Sequence, residues 1–294
     1  MIICSWNVRG LNCPLKQREI TKFISSNHID VMGIIETKVR MPNQDKIQNK
    51  FMPQWKFITN SEPHSVDRIW VGWNPDKVPL TVSLSNQQII HAFISSTDHS
   101  VSFEASFIYG LNTVHDRRLL WRDMRLIGAS SNGNPWICLG DFNVVLQQQD
   151  IFGGNQGRDR GIEEFTDIIY STCLVDLRFI GLYFTWNNKR TNQEQFIMKK
   201  LDRVLINQSW LDKFPTAFAE FLPPGISDHS PALVNITPAA SRKGKTFRFY
   251  NYWSSLENFS KHVGDSWSIP IEGNFQFQLC HKLRHAKNSL KVFC

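Results

Sequence analysis

Trp136-Ile137-Cys138-Leu139 is an apolar run that reads as a buried strand, and Gly140-Asp141-Phe142-Asn143 follows it directly. Near the end of the chain, Ser227-Asp228-His229-Ser230 leads into a second apolar run, Pro231 to Ile236. Together they place carboxylates, an amide and an imidazole at strand ends, where a rigid sheet can hold them in one cleft. Carboxylates, amides and one histidine, with no cysteine partner, suit a magnesium site acting on phosphate esters. Magnesium is a hard cation that takes oxygen ligands and keeps several waters, so one or two carboxylates suffice on the protein side.

Outward from these two stretches, the chain reads as strands separated by helices. Residues 2–8 form a first strand, and Pro14 opens a helix with Ile20, Phe23 and Ile24 on its apolar stripe. Val31 to Ile35 is a short buried strand closed by Glu36, and the polar stretch 37–54, with two prolines, reads as a surface loop. Strands are expected at 69–73, 78–84, 89–94 and 101–109. The last of these alternates Val101, Phe103, Ala105, Phe107 and Tyr109 on one face. Helices fit 115–128 and 162–172, a Gly/Asn/Asp-rich loop fits 150–161, and shorter β-like pieces fit 174–177, 183–186, 196–206, 217–222 and 231–236. Without a regular βαβ alternation, the expected fold is a layered α/β domain over 1–237, two mixed β-sheets packed face to face with helices outside.

The 294 residues are 41% hydrophobic and 20% charged, enough apolar material for a large core, and most of the ten Trp and 21 Phe belong there. The net charge of +7 is uneven: residues 238–294 hold nine Lys/Arg against three Asp/Glu, and 1–237 hold 24 against 23. Pro238 and the following Ala-Ala-Ser-Arg-Lys-Gly-Lys mark a linker to a basic, partly helical extension. That extension fits a polyanion partner and a solvated tail equally. The six cysteines form no CxxC pair, which argues against zinc and thioredoxin-type chemistry. The chain reads as reduced, intracellular and monomeric. It shows no signal h-region and no apolar run approaching a membrane span.

The polar residues at strand ends are Asn7, Glu36, Tyr109, Asp141, Asn143, Asp202, Asp228 and His229. Singly, four of them have a plain explanation: Glu36 a strand ending in solvent, Asp141 a turn cap, Tyr109 a core aromatic, Asn7 a turn residue before Gly10. As a set they match what phosphodiester hydrolysis requires. It needs an activated water, donors or positive charge on the non-bridging oxygens, and help for the leaving oxygen. Glu36 can hold the metal, Asp141 can orient or deprotonate the water, and Asn7, Asn143 and Tyr109 can donate to phosphate. His229 can act as imidazolium or general acid/base if a carboxylate fixes its ring, and Asp202, ahead of Val204-Leu205-Ile206, is the natural partner.

Six segments occur in order: Trp6-Asn7-Val8-Arg9-Gly10-Leu11, Ile35-Glu36-Thr37, Tyr109-Gly110-Leu111-Asn112, Gly140-Asp141-Phe142-Asn143, Leu201-Asp202-Arg203-Val204-Leu205 and Ser227-Asp228-His229. They resemble the successive motifs of the endonuclease/exonuclease/phosphatase family, which includes DNase I-like and exonuclease III-type enzymes, and they span residues 6–231. The resemblance implies a four-layer α/β sandwich. It implies Glu36 as principal metal ligand with Asn7 beside it, and Asp228 supporting His229 or the metal. It further implies that Asp141 positions the water with Asn143 assisting, that His229 and Asp202 act at the scissile phosphate, that Tyr109 lies near it, and that Asn112 faces the substrate backbone. The implied cofactor is Mg2+, with Mn2+ as an alternative. Leu119-Leu120-Trp121, Tyr183-Phe184-Thr185-Trp186, Leu201 to Asn207 and the tail piece Phe247 to Trp253 further resemble the endonuclease region of plant LINE-type, non-LTR retrotransposons. That narrower resemblance implies a nuclear enzyme that nicks one DNA strand and leaves a 3′-hydroxyl to prime reverse transcription. Element RNA would then be a second partner, through the tail.

One position departs from the pattern. DNA-repair relatives carry an acidic residue two positions after the first-motif Asn, and here it is Arg9. It either faces DNA phosphate or is an exposed arginine in a glycine turn. Trp186 and Arg203 are further candidates for DNA contact through stacking and phosphate binding, with core packing and a surface ion pair as their alternatives. Arg158 and Arg160 could touch substrate from the 150–161 loop. Two other functions compete: a hydrolase of the same fold acting on RNA or a phosphoinositide, and a non-catalytic nucleic-acid-binding remnant of a mobile element.

Overall fold

The computed structural model describes residues 1–61, 66–131, 133–154, 160–237, 253–254, 256–273 and 275–292. In chain order the elements are β1 (Ile2–Asn7), α1 (Pro14–Ser26), β2 (Val31–Ile35), α2 (Gln44–Phe51), β3 (Lys56–Thr59), β4 (Ile69–Trp73), β5 (Leu80–Asn86) and β6 (Ile89–Ser95). They continue with β7 (Ser102–Tyr109), α3 (Val114–Ser130), β8 (Trp136–Asp141), β9 (Ile151–Phe152), α4 (Arg160–Ser171), β10 (Val175–Asp176), β11 (Phe179–Gly181) and β12 (Trp186–Asn187). The last are β13 (Met198–Lys199), β14 (Asp202–Ile206), α5 (Gln208–Lys213), β15 (Phe218–Phe221), β16 (Ala232–Asn235), α6 (Phe259–Trp267) and α7 (Phe275–Val292).

Two large mixed sheets carry the fold. One has strand order β11-β15-β16-β1-β2-β4-β3, the other β10-β14-β8-β7-β6-β5, and a small third sheet joins β12, β13 and β9. The pairs β1/β2, β11/β15 and β7/β8 are parallel, and the others within the two large sheets are antiparallel. The two large sheets pack face to face. Gly33 of β2 lies so close to β7 that a Cβ there would stand 2.3 Å from Cδ1 of Phe107, so the close approach requires glycine. Ile20, Ile24, Ile47 and Phe51 of α1 and α2 close the outer face of the first sheet against Trp6, Ile34 and Trp70. Leu120, Met124, Phe165 and Ile168 of α3 and α4 close the outer face of the second against Ile108, Trp136 and Cys138. The expected four-layer α/β sandwich is the observed one.

The structure corrects the expected elements at several points. The stretch 37–54 is not a loop throughout: α2 forms there and buries Ile47 and Phe51, four residues apart on one face, and β3 follows it. The expected strand 196–206 is split into β13 and β14, which belong to different sheets.

The chain divides into two compact units, Met1–Ala240 and Ser241–Cys294. Within the second, α6 packs on α7, and Trp253 and Leu290 are buried. The linker from Pro238, Phe247 to Tyr252 of the tail piece, and Arg158 lie outside the described residues. Among the described residues no helix is long and apolar enough to cross a membrane.

Candidate active site

Parallel pairing sets the site, because it brings equivalent strand ends together. β1 and β2 run parallel with Asn7 beside Ile35, so Asn7 and Glu36 leave the first sheet at the same end. In the second sheet β7 and β8 are parallel with Tyr109 beside Asp141, and antiparallel β14 starts there with Asp202 opposite Asp141. The sheets are joined at this end by Asn7 Nδ2, which donates to Asp141 Oδ2 at 2.9 Å. His229 comes from the segment preceding β16 and bridges to Trp186. Its backbone is held by Trp6 Nε1, which donates to the His229 carbonyl at 2.9 Å, and by Ser227 Oγ, which accepts from its N–H at 3.3 Å.

His229 stands between two buried carboxylates. Its Nδ1 lies 2.9 Å from Asp202 Oδ2 and its Nε2 lies 3.8 Å from Asp141 Oδ2. Burial works to lower the imidazole pKa, but the charges of Asp202 and Asp141 outweigh it and hold the group at about 9. Asp141 is pushed up to about 6, by burial first, against the lowering effect of His229 and of hydrogen bonds from Asn143 N and Asn7. Tyr109 is pushed up to about 12 by burial and by the charges of Glu36 and Asp141, while Arg68 lies 5.5 Å from its ring centre. Ligand atoms of Asp141, Asp202 and His229 lie within 4.8 Å of one another, close enough to share a metal ion. The 2.9 Å contact and the raised imidazole pKa favour a shared proton instead, since a protonated ring nitrogen is not a ligand.

A second group sits beside the first. Glu36 Oε1 meets Lys38 Nζ at 2.8 Å and Glu36 Oε2 meets Arg9 Nε at 3.7 Å. Asp228 Oδ2 meets Arg9 Nη1 at 3.5 Å and accepts from Trp186 Nε1 at 3.0 Å. Asn7 Oδ1 accepts from the Arg9 backbone N–H at 3.0 Å. Two hard carboxylates therefore face one guanidinium, and an amide oxygen accepts from the backbone of the same arginine; two carboxylates and an amide oxygen are a donor set that fits a magnesium-type ion. Arg9, Glu36, Lys38 and Asn143 all have left-handed backbones, with φ of 52°, 57°, 54° and 51°. Such conformations cost roughly 1–3 kcal/mol each in non-glycine residues and concentrate where geometry serves function.

The structure thus gathers Asn7, Glu36, Tyr109, Asp141, Asn143, Asp202, Asp228 and His229 at one end of the two sheets. Asn143 is half-buried and donates from Nδ2 to the Gly110 carbonyl at 2.7 Å. Trp186 is half-buried, its ring 6.4 Å from that of His229. Asn112 is exposed, and its carbonyl accepts from Arg117 Nη1 at 2.9 Å. Arg203 does not face solvent: it is 1% exposed and its guanidinium is held by Asp150 and Asp176, so a phosphate contact is closed to it. Three supporting residues escaped the sequence reading. Buried Thr185 accepts through Oγ1 from the N–H of Leu201 and of Asp202, Ser227 Oγ donates to the Asn7 carbonyl at 2.6 Å, and Lys38 pairs with Glu36. Ser227 and Thr185 lie inside the segments Ser227-Asp228-His229 and Tyr183-Phe184-Thr185-Trp186, and Lys38 follows Glu36 by two residues; those positions were the available signal.

A sequence profile of the Endonuclease/Exonuclease/phosphatase family matches residues 4–229. An exodeoxyribonuclease of Bacillus subtilis (strain 168) is 21% identical over 259 residues, covering 80% of this chain and all of its own length. Among solved structures, the 3′ phosphatase NExo from Neisseria, bound to a product DNA hairpin, superposes with a TM-score of 0.60 at 16% identity, covering 81% of this chain and 99% of that one. The endonuclease domain of TRAS1, a telomere-specific non-LTR retrotransposon, superposes with a TM-score of 0.60 at 10% identity over 80% of this chain and 97% of that one.

Proposed function

Because the chain belongs to the Endonuclease/Exonuclease/phosphatase family, we propose that it is a divalent-metal-dependent phosphodiesterase that nicks one strand of DNA and leaves a 3′-hydroxyl able to prime reverse transcription. The observation that carries this reading is the buried line Asp202–His229–Asp141, tied to Asn7 and flanked by Glu36 and Asp228. The motif resemblance to LINE-type endonucleases, together with the likeness to the TRAS1 domain, supports DNA as the substrate and the nucleus as the compartment.

The chain's own residues divide the work. Asp202 fixes the His229 ring and keeps it protonated, so Nε2–H is available to a phosphate oxygen. Asp141, held at about 6 and oriented by Asn7 Nδ2, is ionised at neutral pH and can take a proton from an attacking water at Oδ1 or Oδ2. Tyr109 stays protonated and can donate from its hydroxyl. Glu36, Asn7 and Asp228 are the residues that would hold Mg2+, or Mn2+ in its place. Bound there, the ion would supply Lewis-acid charge to a phosphate oxygen.

Supercoiled plasmid incubated with the purified chain tests this reading. Nicking should require Mg2+, stop in EDTA, and fall about 10²- to 10⁴-fold in Glu36→Ala and His229→Ala. Intact plasmid alongside hydrolysis of RNA or a phosphoinositide would overturn it.

A further inference from the structure

We propose that Arg9 is the resident counter-cation of Glu36 and Asp228, that it limits the site to one divalent ion, and that its guanidinium, once it gives up these carboxylates, binds a phosphate oxygen of the substrate. The second clause rests on the metal assignment in that functional reading, and the last on its phosphodiesterase activity. All three side chains assigned to the metal converge on this residue. Asn7 Oδ1 accepts its backbone N–H at 3.0 Å, Glu36 Oε2 lies 3.7 Å from Nε, and Asp228 Oδ2 lies 3.5 Å from Nη1. The two carboxylate side chains are 9% and 15% exposed, whereas that of Arg9 is 47% exposed. Carboxylates so far removed from water require positive charge, and an arginine cannot lose its proton, so it supplies that charge permanently.

The backbone and the head of Arg9 are held differently. The backbone sits at φ 52°, its carbonyl and that of Val8 accept from Lys16 Nζ at 3.4 and 2.6 Å, and the next residue, Gly10, donates to the Glu36 carbonyl at 2.8 Å. The guanidinium contacts, at 3.5 and 3.7 Å, are longer than hydrogen bonds and rest on charge alone. A fixed base with a loosely held, half-exposed head allows the side chain to turn without unfolding the site. Glu36 keeps Lys38 on its other oxygen meanwhile. An acidic side chain at this position would add a third carboxylate and room for a second ion, and arginine does the reverse. A guanidinium released beside a phosphodiester meets its best planar partner, because its fork matches two phosphate oxygens.

The test is a Mn2+ titration of the full chain without DNA, followed by calorimetry and by electron paramagnetic resonance of free Mn2+. Wild type should bind one ion. Arg9→Gln, which removes the charge and keeps the length, should bind it about tenfold more tightly, since two partly exposed ion pairs no longer compete. Arg9→Asp should admit a second ion, and Arg9→Lys should return to the wild-type curve. Weaker binding in Arg9→Gln with an unchanged thermal melt, or a single ion in Arg9→Asp, would overturn the counter-cation claim. In plasmid nicking, Arg9→Gln should raise KM about tenfold, the loss of one charged phosphate contact, and lower kcat less. A fall in kcat at constant KM would overturn the phosphate clause. If wild type nicks no DNA, the functional reading and with it the phosphate clause fail, and the Mn2+ titration still decides the rest.

Discussion

Asp202→Asn keeps the side-chain shape and removes one charge, and its consequence can be worked from the geometry. His229 Nδ1 lies 2.9 Å from Asp202, while Asp141 is 3.8 Å away on the other nitrogen. Burial opposes protonation, yet the two carboxylates raise the imidazole from 6.5 to about 9. That rise corresponds to about 3 kcal/mol of preference for the imidazolium. Asp202 is the larger of the two contributors. Without its charge, burial is opposed by Asp141 alone, and the pKa should fall by about 1–3. At pH 8 the wild-type ring is mostly protonated and the variant ring is half or more neutral. NMR titration of carbon-13-labelled histidine, assigned with His229→Gln, reads this directly. The stability change has a definite sign. Because the folded-state pKa is raised, the contribution is complete below pH 6.5 and is lost as pH rises through 9, so urea unfolding should show a decline across that window in wild type and a smaller one in the variant. A ring that still titrates near 9 in Asp202→Asn would refute the assignment and make Asp141 the carboxylate that keeps the ring protonated.

Asn7→Ala removes a hydrogen bond that lowers the Asp141 pKa, so the acid limb of the nicking profile, near pH 6 in wild type, should move to higher pH. His91, buried against Trp136 and Ser106, is held at about 4 by burial. Its folded-state pKa is depressed, so its contribution to stability is complete above pH 6.5 and lost as pH falls through 4. About 3 kcal/mol of acid sensitivity in urea unfolding should therefore disappear in His91→Gln. Arg203→Ala leaves Asp150 and Asp176 without their buried partner and should cost about 3–5 kcal/mol in unfolding free energy, while DNA affinity of the folded protein stays unchanged. Gly33→Ala should cost about 1–3 kcal/mol by overpacking Phe107, with partial recovery in the double variant Gly33→Ala/Phe107→Leu.

The sandwich was legible because its central strands are short apolar runs bounded by polar residues. Ile69–Trp73 and Val31–Ile35 stand as their periodicity and boundaries predict. α2 was hidden by length, since eight residues with two buried positions make a weak periodic signal beside Pro42 and Pro53. The small third sheet was hidden because two-residue strands carry no alternation at all. At the site, strand-end polar residues announced themselves by following apolar runs directly. Arg203 misled for the same reason: it sits in a buried strand next to Asp202, and sequence alone does not tell an arginine turned toward Asp150 and Asp176 from one turned toward solvent. Arg9 was visible as a departure from the pattern, but its place between Glu36 and Asp228 depends on three separate loops meeting, which only the fold supplies.

The central claim is hydrolysis of a DNA phosphodiester by water acting beside Asp141 and His229, leaving a free 3′-hydroxyl. Nicking supercoiled plasmid in oxygen-18 water with Mg2+, then measuring the label at the new 5′-phosphate and the extension of the nick by a DNA polymerase without prior phosphatase treatment, tests it directly. One labelled oxygen on the 5′-phosphate and immediate extension are expected, both absent in His229→Ala. Label on a 3′-phosphate, nicks that resist extension, or no nicking by a folded, Mg2+-loaded chain would contradict it.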